Sequence, residues 1–145
     1  MESTDPDLRA RRIAEAFVRA IPHAGLLGMV MREAGPGRAV IAMAYDTRLI
    51  GDPATGVIHG GAVSTLMDTC GGAAVLTHPE APLSTATLDL RIDYMRAAAP
   101  GQGIVAEAEC YHMTRSVAFV RAEARQEDGV RIAAATGAFT VERGT

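Results

Sequence analysis

His59-Gly60-Gly61-Ala62-Val63-Ser64-Thr65-Leu66-Met67-Asp68-Thr69-Cys70-Gly71-Gly72-Ala73-Ala74-Val75-Leu76 is the stretch that decides the fold. Gly60 to Leu76 is the longest weakly polar run, and its apolar residues fall on nearly every face of a helix. That pattern predicts one central helix, over about 60–76, buried all round. The small residues Ala62, Ser64, Thr65, Gly71, Gly72 and Ala73 would let a sheet or a second helix approach closely.

Between Val57 and Thr77 this run holds one full charge, Asp68. Aspartate is a poor interior helix former, and a buried carboxylate is costly without a partner. A lone acid in such a setting is a functional candidate, and enclosure would raise its pKa toward that of a general base. The plainer reading has Asp68 facing solvent or bonded to Ser64 or Thr65. His59-Gly60-Gly61 stands just before the helix. Glycines let backbone approach a ligand, and N–H groups at a helix start favour developing negative charge, as an oxyanion hole requires. The alternative is a glycine-rich helix entry with no ligand.

Gly60 and Asp68 are separated by about 12 Å of helix rise at ~1.5 Å per residue. One carbonyl cannot touch both within a single chain, because each contact needs roughly 3 Å. If both act on one substrate, they come from two subunits, and the expected unit is a two-fold dimer with shared sites.

Working outward, Asp5-Pro6 opens an N-terminal helix over about 5–21, with Asp5 as N-cap, and Pro22 ends it. Leu27 to Ala34 and Arg38 to Tyr45 read as strands around the turn Gly35-Pro36-Gly37. Asp46 to Ile58 reads as a loop. Ser84 to Tyr94 alternates, with Leu88, Leu90 and Ile92 on one side and Asp89, Arg91 and Asp93 on the other. Ile104 to Met113, Val117 to Gln126 and Val130 to Val141 are further strands, the last entered through Asp128-Gly129. The order gives an α+β fold, an antiparallel sheet with a helix on one face. Its strands are long enough to curl around that helix. The 145 residues fit a single domain, 1–145.

Composition narrows the chemistry. Apolar residues form 48% of the chain, so a packed interior is expected. A net charge of -3 without charge runs gives no footprint for nucleic acid and no basic face for a membrane. The chain has no lysine, asparagine or tryptophan. That excludes a Schiff-base lysine, a Walker-type loop and a lysine–serine dyad. There is no Gly-x-Ser-x-Gly elbow. His23, His59, His78 and His112 sit at no metal-ligand spacing, so no metal is expected. Met1 to Asp7 lacks the features of a secretory signal, and no run of eighteen apolar residues marks a span. Cys70 and Cys110 do not make a disulfide framework, and a cytoplasmic setting is expected.

His59-Gly60-Gly61, Thr65-Leu66-Met67-Asp68-Thr69 and Leu88-Asp89-Leu90-Arg91-Ile92-Asp93-Tyr94-Met95-Arg96 together resemble the phenylacetate-degradation (PaaI-type) branch of the hotdog thioesterases. The likeness continues through Ile21-Pro22, Leu27-Gly28-Met29 and Gly129 to Phe139. It implies a hotdog fold, a long central helix wrapped by a curved antiparallel sheet. It further implies dimers pairing into homotetramers, and hydrolysis of acyl-CoA thioesters without cofactor. By position, Asp68 resembles the general base or nucleophile, Gly60 the oxyanion donor and His59 the residue orienting the turn. Thr87 stands where relatives hold the attacking water. Gly61, Thr69 and Arg115 are the implied substrate contacts, Arg115 toward a CoA phosphate, with a solvated arginine as the plainer reading. Relatives often carry an asparagine in the loop before the triplet, where this chain has Asp52-Pro53-Ala54-Thr55-Gly56. Two rival readings use the same residues: a hotdog hydratase or dehydratase with His59 and Asp68 as acid and base, and a non-catalytic acyl-CoA-binding protein.

Overall fold

A computed structural model describes residues 4–144; Met1 to Ser3 of the acidic start and Thr145 lie outside the described residues. Helix α1 (Pro6–Ala20) is capped by Asp5, whose carboxylate accepts from the Asp7 N–H. Its proline occupies the first turn, where a missing N–H costs nothing. A short helix α2 (Pro22–Leu26) follows. The proline that closes α1 therefore also opens a new helix, and the strand expected from Leu27 begins two residues later.

Strands β1 (Met29–Gly35) and β2 (Arg38–Met43) form a hairpin. The stretch read as loop contains a 3-10 turn at Thr47–Leu49 and a two-stranded sheet of β3 (Ile50–Asp52) and β4 (Val57–Ile58). Helix α3 (Gly60–Leu76) comes next, then β5 (Thr87–Tyr94), β6 (Ile104–Met113), β7 (Val117–Gln126) and β8 (Arg131–Thr140). The large sheet is antiparallel in the order β1-β2-β6-β7-β8-β5, which leaves β5 as a free edge.

The sheet packs around α3, and α1 lies against β1 and α3. Leu66, Met67, Cys70, Ala73, Ala74 and Val75 of the helix meet Ile41, Met43, Ile104, Val120 and Phe139 in one core. This is the α+β hotdog architecture the sequence leads one to expect. Burial of α3 is not complete around its circumference, however. Gly61 is exposed, and Ser64, Thr65, Asp68 and Thr69 are half-buried. Sheet and α1 cover only part of the helix, so residues at i, i+3/i+4 and i+7 from Gly61 share an open stripe.

Candidate active site

The turn entering α3 is fixed by its neighbours in the chain. The His59 N–H donates to the Leu49 carbonyl at 2.8 Å, beside the β3–β4 pairing of Ile50 with Ile58. His59 is the N-cap of α3, in an extended conformation with φ -58° and ψ 132°. Its Nδ1 accepts from the Gly61 N–H at 2.7 Å. The ring proton therefore sits on Nε2, which faces away from the cap. Position 61 must lack a side chain here, because a Cβ would lie 2.8 Å from Nδ1.

This cap sorts the two glycine amides. Gly61 N–H is engaged by His59, so it is not the donor available to a ligand. Gly60 is the first residue of α3, and its N–H has no intrahelical acceptor. No other acceptor among the described residues takes it. Its peptide partner, the His59 carbonyl, accepts from the Ala62 N–H at 2.9 Å, which polarises the same amide further.

Tyr94 completes the turn. Its hydroxyl donates to the Gly60 carbonyl at 2.8 Å. Its position at the end of an alternating strand gave no signal of the contact. Val57, Val63, Ala98 and Ile132 line an apolar cleft on that side of the turn. A second cleft, with Leu27, Leu49, Ile50, Ala62 and Thr65, flanks His59 on the other.

Asp68 lies further along the open stripe. It is half-buried, not enclosed as its apolar surroundings in sequence predict, because the stripe has no cover within one chain. The Thr87 hydroxyl donates to its Oδ1 at 2.6 Å. Among the described residues, Oδ2 takes no hydrogen bond and no cation pairs with the carboxylate. Ser64 and Thr65 do not bond Asp68: both hydroxyls donate to the Gly61 carbonyl, at 2.9 and 2.8 Å. The alternative partners considered from sequence are thus occupied elsewhere.

The structure therefore forms two groups, the His59-Gly60-Gly61 turn with Tyr94, and the Asp68–Thr87 pair. Thr69 is half-buried next to Asp68. Arg115 is exposed at the β6–β7 hairpin, where its carbonyl accepts from the Arg143 guanidinium at 3.0 Å. Cys70, two residues from Asp68, is no competing nucleophile. Burial pushes its thiol up to about 12, and its S–H lies 3.2 Å from the Ala39 carbonyl.

Known proteins resemble this chain in sequence and fold. The family model described as Thioesterase superfamily matches residues 55–133, which include the turn, α3 and β5. The medium/long-chain acyl-CoA thioesterase YigI of Escherichia coli is 29% identical over 144 residues, spanning 89% of this chain and 91% of that protein. A solved protein from Pseudomonas aeruginosa is 39% identical, with a TM-score of 0.81, covering 90% of this chain and 98% of its own. The phenylacetic acid degradation protein PaaI from Thermus thermophilus, solved as a point mutant, is 28% identical, with a TM-score of 0.74 and coverages of 83% and 99%.

Proposed function

The chain belongs to the thioesterase superfamily, and on that premise we propose that it hydrolyses an acyl- or aryl-coenzyme A thioester to the free acid and coenzyme A. The observation that carries this reading is a carboxylate held by one hydroxyl on an otherwise open helix face, Asp68 with Thr87. It has a free oxygen to accept a proton or to attack. The unpaired Gly60 N–H supplies the complementary donor for an oxyanion.

In the reaction, water attacks the thioester carbonyl while Asp68 takes its proton. Alternatively, the carboxylate attacks directly and water then cleaves the mixed anhydride. The C–S electron pair leaves with coenzyme A as thiolate in both routes. Gly60 N–H stabilises the negative oxygen, His59 holds the turn that presents it, and Thr87 fixes Asp68. An apolar acyl group has the clefts beside the turn to enter.

Asp68 stands eight residues beyond Gly60 in one helix, or about 12 Å of rise, so the two serve one carbonyl only across a two-fold dimer. The free edge β5, with Leu88 58% exposed and Met95, just past the strand's end, 52% exposed, supports such a partner. Pairing of two dimers into a homotetramer and a cytoplasmic setting, where Cys70 and Cys110 stay thiols, complete the proposal.

The test is Asp68→Asn, assayed by thiol release over a panel of CoA esters. The variant is expected to lose at least about a hundredfold in kcat while keeping its circular dichroism. Near-normal turnover would remove Asp68 from the chemistry. Change in enoyl absorbance without thiol release would instead favour a hydratase.

A further inference from the structure

Strand alternation alone places Thr87 on the wrong side of the sheet. Residues directly opposite in antiparallel strands share a face. Phe139 of β8 faces α3, since a Cβ on Gly71 would meet its ring at 2.8 Å. Ala133, Ala135 and Gly137 are buried on that same inner face, whereas Thr136 is exposed. Leu90 pairs with Gly137 and Ile92 with Ala135, so both point inward, while Arg91 pairs with Thr136 and points outward. By simple alternation Thr87 would point outward with Asp89 and Arg91. It instead pairs with Phe139 and reaches Asp68.

The difference is one extra residue. The register shifts between Thr87 and Asp89, so that Leu88 has no opposite partner on β8. A bulge of this kind inverts the faces on its two sides and re-aims side chains. Two contacts hold it. Asp89 Oδ1 accepts the Ala138 N–H at 3.0 Å, the donor next to the broken register. Gly137 gives the bulged strand room: a Cβ there would lie 2.7 Å from the Asp89 carbonyl oxygen and 2.9 Å from Leu90 Cδ1.

We infer that Asp89 is a positioning residue for thioester hydrolysis: on the sheet's outer face, it holds the Leu88 bulge that turns the Thr87 hydroxyl inward onto Asp68. This rests on the reading of Asp68 as the reacting carboxylate. Asp89 touches neither Asp68 nor the substrate, and its effect passes through Thr87 alone. Its negative charge is incidental and its acceptor oxygen is what matters, so asparagine serves in its place.

The experiment is a double-mutant cycle on kcat with an acyl-CoA that the wild type turns over. Asp89→Ala is expected to lower kcat about tenfold, with KM changed by less than about twofold. In a Thr87→Ala background the same substitution should change kcat by less than about twofold, because its route of action is already gone. Asp89→Asn should recover more than half of wild-type kcat. Gly137→Ala attacks the bulge from the inner face, so the test stands even if Asp89→Ala folds poorly. It should show the same loss and the same silence in the Thr87→Ala background.

Wild-type kcat in Asp89→Ala, or equal losses with and without Thr87, would overturn the inference. Asp68→Asn runs alongside. If it is inactive while Asp89→Ala is normal, only the positioning role fails. If it turns over normally, the assignment of the site fails first.

Discussion

Replacing Gly60 by proline deletes one N–H while leaving the helix start intact. Gly60 is the first helical residue, the position where proline is best tolerated. His59 already has the extended φ and ψ that the residue before a proline requires. A Cβ at position 60 would have Tyr94 as its nearest neighbour, at 3.5 Å, an ordinary contact. The lost N–H has no acceptor among the described residues, so folding forfeits no hydrogen bond. Proline also restricts the unfolded chain, worth about 0.4–1 kcal/mol in favour of the fold. Thermal stability should therefore hold or rise slightly. Loss of a preorganised oxyanion donor costs about 2.7–4 kcal/mol in the transition state, or about 10²–10³ in kcat. The assay pairs thiol release with thermal melts of Gly60→Pro and Gly60→Ala. Alanine keeps the N–H and should keep most of the turnover. Gly60→Pro with native stability and undiminished kcat would refute the donor role. Equal loss in both variants would point to crowding against Tyr94 instead.

Three further outcomes follow from the same geometry. His59→Ala removes the cap on Gly61 N–H, at a cost of about 1 kcal/mol. Spread over 145 residues at about 2.1 cal/mol/K each, that lowers Tm by roughly 3 °C in a melt. His59→Asn should restore both Tm and kcat; recovery of Tm alone would place the imidazole Nε2–H on the substrate. Thr87→Ala should lower kcat with little change in KM, while Thr87→Ser, which keeps the hydroxyl on Asp68, should recover most of it in the same thiol-release assay. Cys70 should resist a chromogenic disulfide reagent at pH 8 in the native protein and react on unfolding, since burial keeps it a thiol far above its usual range; rapid native labelling at Cys70 would contradict its place in the core.

Much of the fold was legible because it depends on local patterns. The β6 and β7 bounds are marked by the turn residues around them, Pro100 to Gly103 before and Asp128-Gly129 after, and Asp5-Pro6 announces the start of α1. The central helix is legible from its apolar run, while the open stripe along it is not, because burial depends on what the sheet covers. Helix α2 is five residues long, too short for any period to show. The β3–β4 pair is shorter still, yet it carries the Ile50–Ile58 pairing beside the His59 anchor on Leu49.

At the site, Asp68 stands out in the sequence as a charge in an apolar helix, and Gly60 as part of a triplet before it. Which glycine amide is free does not, since that depends on the rotamer of His59. The face of Thr87 is hidden for a different reason. Alternation assigns Leu88 to the helix side with Leu90 and Ile92, but the bulge leaves Leu88 exposed and moves Thr87 inward. A one-residue slip of parity is set by Asp89 and Gly137 from two strands, which no window along one strand reveals.

The most direct test of the shared site is complementation. Asp68→Asn and Gly60→Pro subunits are each expected to be nearly inactive when pure. Mixed equally by co-refolding, half of the dimers are hybrids, and each hybrid joins one intact Gly60 to the partner's intact Asp68. The mixture should regain about a quarter of wild-type thiol release. Activity no higher than that of the two pure variants, with hybrids verified by mass, would contradict a site built across two chains.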